Sequence, residues 1–224
     1  MTLGILYDLH GNLPALAAVL ADAEREGIER WLLGGDYAAH SPWPLEVLGK
    51  LRQLPNATWI RGNGERWLRE PPLDRPEIAD VLAERPSGLG AEEGWLFSLQ
   101  TGIELDGVLY VHGSPLSDVE SFAAEAQEGE ARLLAGVRDR TVVFGHSHLQ
   151  FRRPGPDGTA LLNPGSAGMP LDGDPRAAWA ICTRAGGFEF RRTEYDVERA
   201  AAAWRARGGE FGEFAARRVE RGSD

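Results

Sequence analysis

The chain has 224 residues, 42% of them apolar and 26% charged, which is an ordinary globular balance and excludes a collagen-like, coiled-coil or disordered protein. Its 24 basic and 34 acidic side chains leave a net charge of −10, so broad sequence-independent binding of extended nucleic acid, which needs a basic footprint, is not expected. With Cys182 as its one cysteine, no disulfide can form within the chain.

Met1–Asn12 carries no basic stretch followed by an apolar run, and no apolar run approaches the roughly 18 residues of a membrane helix. A cytoplasmic protein without a membrane partner is the expectation.

In chain order, Thr2–Tyr7 reads as a short buried strand and Leu13–Glu26 as a helix, with Leu13, Leu16, Ala17 and Leu20 at helical spacing and Pro14 in the first turn. Arg30–Leu33 is a second strand, Pro44–Leu54 a helix and Ala57–Ile60 a third strand. Strands separated by helices imply a parallel arrangement. Trp67–Leu99 reads as two or three helices broken by Pro71, Pro72, Pro76 and Pro86, a helical excursion over about 66–101. Leu105–Val111 has the pattern of a hairpin turning at Asp106-Gly107. Asp118–Gly136 reads as an acidic helix with a solvated face. Thr141–Phe144, Thr159–Leu162, Ala177–Thr183 and Phe188–Thr193 read as strands paired antiparallel, and Val197–Arg207 and Phe211–Arg221 as closing helices. One α/β domain over 1–224, with a second sheet packed on the first, is the expected architecture.

Polar residues gather where the predicted strands end. Asp8 and His10 follow the first strand, Asp36 the second and Asn63 the third. His112 follows the hairpin, and His146 and His148 follow Thr141–Phe144. Four of the five histidines therefore lie in short turns after apolar strands, beside carboxylates and an amide. Oxygen and nitrogen ligands without sulfur suit one or two hard or borderline divalent cations.

In order and spacing, Asp8-Leu9-His10-Gly11-Asn12, Gly35-Asp36, Gly62-Asn63, His112-Gly113-Ser114-Pro115, Gly145-His146-Ser147-His148 and Asn163-Pro164-Gly165-Ser166 resemble the calcineurin-like metallophosphoesterases, in particular bacterial predicted phosphoesterases and phosphodiesterases of this size. The resemblance implies a two-sheet β-sandwich flanked by helices in four layers, αββα. It implies two divalent metals, of Mn, Fe, Zn, Ni or Co. Asp8, His10 and His148 would hold the first and Asn63, His112 and His146 the second, with Asp36 between them. Two such cations about 3.5–4 Å apart hold a bridging hydroxide and stabilise the charge of in-line displacement. The implied activity is hydrolysis of a small phosphorylated substrate: a phosphodiester, nucleotide or phosphoanhydride. A serine/threonine protein phosphatase and a non-catalytic metal-binding scaffold of the same fold are the alternatives.

The pattern departs from many relatives at Gly64, where they carry a histidine thought to protonate the leaving oxygen. Glycine donates no proton, which favours substrates with good leaving groups; the residue also suits a tight turn of positive φ. His40 occupies a position where resembling protein phosphatases have a phosphate-contacting arginine. It is the candidate catalytic acid or phosphate contact, or simply the start of the loop Ser41–Pro44. Asn12 is a candidate substrate contact or a turn residue. Glu65 is expected to orient Asn63 or a ligand histidine. Trp67, Arg69, Arg75 and Trp95 could overhang the site or belong to the core, and Arg176 is a further candidate.

Overall fold

The computed structural model describes residues 1–84 and 87–224. Pro86, one of the prolines assigned to turns, lies outside the described residues. The first half alternates β1 (Leu3–Leu6), α1 (Leu13–Arg25), β2 (Arg30–Leu33), α2 (Pro44–Leu51) and β3 (Ala57–Trp59). Helix α3 (Asn63–Trp67) follows β3 and leads into the expected excursion, which contains α4 (Pro76–Glu84) and α5 (Glu92–Ser98). The second half holds β4 (Gly102–Leu105), β5 (Val108–Val111), a 3₁₀ turn (Glu130–Leu134), β6 (Thr141–Val143), β7 (Gln150–Pro154), β8 (Ala160–Pro164), β9 (Ala177–Cys182) and β10 (Phe188–Thr193). Helices α6 (Val197–Ala206) and α7 (Gly209–Arg221) follow.

Two five-stranded mixed sheets form, ordered β10-β9-β1-β2-β3 and β4-β5-β6-β8-β7. In the first, β1, β2 and β3 run parallel, with Leu3 opposite Arg30 and Leu33 opposite Trp59, and β9 and β10 add antiparallel. The second half is not simply antiparallel, as its turns suggested: β5, β6 and β8 run parallel, with β4 and β7 as antiparallel edges. Turn residues report local hairpins; they do not report which strands pair over a distance.

Leu3, Ile5 and Tyr7 from the first sheet meet Tyr110, Val143 and Leu162 from the second in a buried layer between them. The Tyr7 hydroxyl donates to the Val143 carbonyl at 3.2 Å and ties the two layers together. On the outer face of the first sheet, Ala15, Leu16 and Val19 of α1 and Val47, Leu48 and Leu51 of α2 pack on Trp31, Leu33 and Trp179. This is the expected two-sheet sandwich flanked by helices.

One expected helix does not form. Asp118–Gly136 is irregular except for the 3₁₀ turn, and it lays Phe122, Leu133 and Leu134 on Val142, Phe144 and Leu161 of the second sheet. Left-handed backbone at Gly129 (φ 75°) and Ala135 (φ 49°) interrupts it. A buried Glu130–Arg153 ion pair, with Arg153 also donating to the Ala123 carbonyl at 3.0 Å, pins the segment by tertiary contacts. Packing on the second sheet therefore overrides its acidic, helix-favouring composition. The unexpected strand is β7, an edge strand of Gln, Phe, two Arg and Pro, whose charges and proline are what exposed edges carry.

Candidate metal centre

Because both sheets have parallel centres, the carboxyl ends of β1, β2, β3, β5 and β6 open at one end of the sandwich, where sites in α/β sheets form. The loops there are sewn together by backbone bonds. His10 N–H donates to the Asp36 carbonyl (2.9 Å), Gly11 N–H to Tyr37 (2.8 Å) and Gly145 N–H to His112 (2.7 Å). Asp8, His10, Asp36, His146 and His148 all have positive φ, between 44° and 63°. Left-handed backbone at side-chain-bearing residues costs free energy and gathers at functional sites.

Two groups of side chains converge here, each with ligand atoms within 4.8 Å of one another: Asp8, His10 and His148, and Asp8, Asp36 and His112. In the first, the Nε2 atoms of His10 and His148 are 3.1 Å apart, and Asp8 Oδ1 is 3.6 Å from His148 Nε2. In the second, His112 Nε2 lies 3.6 Å from Asp36 Oδ1 and 3.8 Å from Asp8 Oδ1. Asn63 Oδ1 joins it, 3.0 Å from His112 Nε2 and 2.8 Å from His146 Nδ1. All seven residues expected from sequence are thus brought together. Asp8 is shared by the two groups, while Asp36, 3.9 Å from His10, also reaches toward the first.

The donor chemistry fits divalent cations. His148 donates its Nδ1–H to the Met169 carbonyl at 2.7 Å, and His112 donates its Nδ1–H to the Gly34 carbonyl at 2.8 Å. Each bond fixes a tautomer and turns Nε2 inward, the usual outer support of a metal-binding imidazole. Asp8 Oδ1 is buried without a hydrogen-bond partner, an arrangement that is costly unless a cation completes it.

The electrostatics say the same. Burial, reinforced by Asp36, pushes the Asp8 carboxyl up to about 8. Burial pulls the His112 imidazole down, but the Asp36 and Asp8 carboxylates prevail and hold it at about 8. Burial and neighbouring imidazoles keep His146 at about 4 and His148 well below the usual histidine range. Without a cation, the centre retains protons to balance its carboxylates.

Surrounding residues divide between expected and unexpected roles. Glu65 is fully buried and accepts the backbone N–H groups of Asp36 (2.8 Å), Tyr37 (2.9 Å) and Gly62 (2.9 Å). It therefore holds the Asp36 and Gly62 loops, not a ligand side chain as expected. Gly64 does not have the positive φ anticipated for it; it lies in α3 and its N–H donates to Asp36 Oδ1 at 2.7 Å. Asn12 caps α1: its Oδ1 accepts from Ala15 N–H at 3.1 Å and its Nδ2 donates to the Gly168 carbonyl at 2.8 Å. Buried and bonded at both ends of its amide, Asn12 fills the turn role of its two readings.

His40 sits in the loop between β2 and α2 with φ 57°, its backbone N–H bonded to the Ser87 carbonyl at 3.1 Å. Trp95 packs edge-on against Trp59, 5.1 Å between rings, under the Arg52 guanidinium, and so belongs to the core. Arg69 lies over the Phe97 ring, and Arg176 pairs with Asp174 on the surface. The Met169 and Gly34 carbonyls had no signal in the sequence, since any residue supplies a carbonyl.

Residues 1–185 match the calcineurin-like phosphoesterase superfamily domain, and the chain belongs to that family. It is 24% identical over 222 residues to an uncharacterized protein of Methanocaldococcus jannaschii, covering 88% of this chain and 89% of that protein. Its fold is similar to that of a metallophosphoesterase from Sphaerobacter thermophilus, with TM-score 0.79, 27% identity and 99% of each chain covered. A hypothetical protein from Pyrococcus horikoshii is similar at TM-score 0.78 and 20% identity, over 100% of this chain and 99% of that one. No helix among the described residues is long and apolar enough to cross a membrane.

Proposed function

We propose that this chain is a hydrolase of small phosphate esters or anhydrides that uses two divalent metal ions. The reading rests above all on the convergence of Asp8, His10, Asp36, Asn63, His112, His146 and His148 at one end of the sandwich, with Asp8 Oδ1 buried and unpartnered among them. Asp8, His10 and His148 would hold one cation, and Asn63, His112 and His146 the other, with Asp36 beside both. When bound, such ions supply positive charge to the phosphoryl oxygens and acidify water. The protein's own part is orientation: the Met169 and Gly34 carbonyls set two histidine tautomers, and Glu65 holds the turn that presents Asp36.

Gly64 brings no acid to the centre, so the favoured substrates are those whose leaving group departs without protonation: activated phosphodiesters, aryl esters, nucleotides or phosphoanhydrides. His40, on the loop that follows Asp36, is the proposed proton donor where one is needed. The test is hydrolysis of bis-p-nitrophenyl phosphate and p-nitrophenyl phosphate by the manganese-loaded chain, with EDTA and Asp36→Asn as controls. Metal-dependent turnover that favours the diester supports the reading. Preference for the monoester would sink the leaving-group argument, and absence of turnover with metal bound would sink the enzyme.

A further inference from the structure

One ion pair joins two of the ligand-bearing segments from outside the centre. Arg66 lies on α3, one turn beyond Asn63, with its own N–H on the Gly62 carbonyl at 3.2 Å. Its guanidinium donates twice to one carboxylate: Nε to Asp118 Oδ2 at 2.7 Å and Nη2 to Asp118 Oδ1 at 2.9 Å. A forked pair of this kind fixes direction as well as distance. The two side chains are only 24% and 16% exposed, which spares them much of the screening that makes surface pairs weak.

Asp118 belongs to the loop that supports the other two ligands of the same group. Ser114 N–H donates to the Ser117 carbonyl at 2.7 Å and Ser117 N–H to Ser114 Oγ at 3.1 Å, so the chain after His112 folds back on itself. It closes tightly on Gly113, the neighbour of His112. A Cβ there would sit 2.7 Å from the Ser117 carbonyl oxygen and 2.9 Å from the Asp118 carbonyl carbon. A little further on, the Ser121 hydroxyl donates at 3.2 Å to the carbonyl of Gly145, the neighbour of His146. Gly145 N–H in turn donates to the His112 carbonyl at 2.7 Å. Helix α3 thus carries Asn63, the Asp118 loop backs His112 and His146, and the Arg66–Asp118 pair links the two.

The first group is fastened differently. The Ser166 hydroxyl donates to the Asp8 carbonyl at 2.6 Å and accepts Met169 N–H at 2.7 Å, and the Met169 carbonyl holds His148.

We infer that Arg66 and Asp118 are positioning residues for one of the two cations: their ion pair holds Asn63 against the His112 and His146 imidazoles and so governs affinity at that group, leaving the group of Asp8, His10 and His148 unaffected. The inference rests on the proposed two-metal reading and assigns the outer support of one half of it.

A clamp and a mere charge differ in sign. By charge alone, loss of the Arg66 cation would tighten a nearby metal ion and loss of the Asp118 carboxylate would loosen it. Loss of the clamp loosens it in both cases. The test is manganese binding to the metal-free full chain by calorimetry, with free Mn²⁺ read by electron paramagnetic resonance; the step that Asn63→Ala removes identifies the ion concerned. Arg66→Gln and Asp118→Asn should each weaken that step about tenfold to a hundredfold, with the other step within about twofold. The double variant should be no worse than the weaker single one, because both remove the same contact. Arg66→Lys, which keeps the charge and loses the fork, should fall between wild type and Arg66→Gln. Tighter or unchanged binding at that step in Arg66→Gln, or equal weakening of both steps, overturns the inference. If Arg66→Gln does not fold, Arg66→Lys decides, and an unchanged step there overturns it. The two readings fail separately. A wild-type chain that binds one ion only removes the two-metal reading, whereas two ions in wild type, neither sensitive to Arg66, remove only the clamp.

Discussion

The amide of Gly64 donates to the Asp36 carboxylate at 2.7 Å, and a Cβ on Gly64 would sit 2.9 Å from the same Oδ1 atom. The missing side chain therefore leaves room for the Asp36 carboxylate as placed in this chain, besides being a chemical absence. Gly64→Ala should push Asp36 off its position between the ligand groups. We expect at least tenfold weaker activation by manganese, with the melting temperature of the metal-free chain lowered by no more than about 3 °C. A manganese titration of activity, run beside thermal melts in EDTA, checks both halves.

Glu65 gives a second view of the same loop. Three backbone N–H groups converge on one buried carboxylate, and truncation would leave them without an acceptor. At about 1–3 kcal/mol for each buried group left unpaired, Glu65→Ala should cost roughly 3 kcal/mol or more. Glu65→Gln should fall between, since its amide keeps an acceptor oxygen but turns donors toward donors. The urea midpoint at constant slope is the measurement.

His40 is tested through leaving groups. If it protonates the departing oxygen, His40→Ala should lower kcat by about 10²-fold for alkyl esters and by far less for p-nitrophenyl esters, because nitrophenolate leaves without help. An equal loss across a series of leaving-group pKa values would assign His40 to positioning and not to proton transfer.

Much of this centre was legible because its chemistry is carried by side-chain types that rarely gather by chance. Asp8-x-His10, Gly35-Asp36, Gly62-Asn63, His112 and His146-x-His148 each follow an apolar run that ends in a turn, and the family resemblance fixed their order. The folded chain adds what residue types do not encode. The left-handed backbone of Asp8, His10, Asp36, His146 and His148 comes from loops bonded across strand ends. The orientation of His148 and His112 comes from two carbonyls distant in sequence. The parallel pairing of β5, β6 and β8 and the irregular cover over Asp118–Gly136 were hidden for the same reason: both depend on partners far along the chain, which periodicity and turn chemistry cannot register.

Asp8 makes the trade between metal binding and folding measurable. Its Oδ1 is buried, unpartnered and close to the Asp36 carboxylate, so the residue costs stability whenever no cation is bound. Asp8→Asn should abolish manganese-dependent activity yet raise the melting temperature of the metal-free chain at pH 8 by roughly 3–6 °C, the equivalent of about 1–2 kcal/mol in a chain of this size. A melting temperature unchanged or lowered would mean that the carboxylate is satisfied within the protein, contrary to the geometry.

The pH dependence follows with a definite sign. In the folded, metal-free chain Asp8 and His112 titrate at about 8 and Glu65 at about 7, all above their unfolded values. For Glu65 burial is the chief cause, followed by the Asp36 charge. Between pH 6.5 and 8.5 the unfolded chain has released these protons while the folded chain still holds part of them, so stability must fall as pH rises. For His112, the contribution is complete below the unfolded histidine pKa and disappears as pH passes 8. For Asp8 and Glu65, the cost of keeping a buried carboxyl grows until each ionises. His10, His146 and His148, depressed by burial, work the other way as their unfolded forms lose protons near pH 6.5, which shallows the lower end of the trend without reversing it. Melts in EDTA should therefore move several degrees lower from pH 6.5 to 8.5. Manganese should flatten or reverse the trend, because cations neutralise the carboxylates and bind deprotonated ligands more tightly as pH rises. A metal-free melting temperature that climbs with pH over this range would show that the carboxylates in the centre are balanced by something other than retained protons.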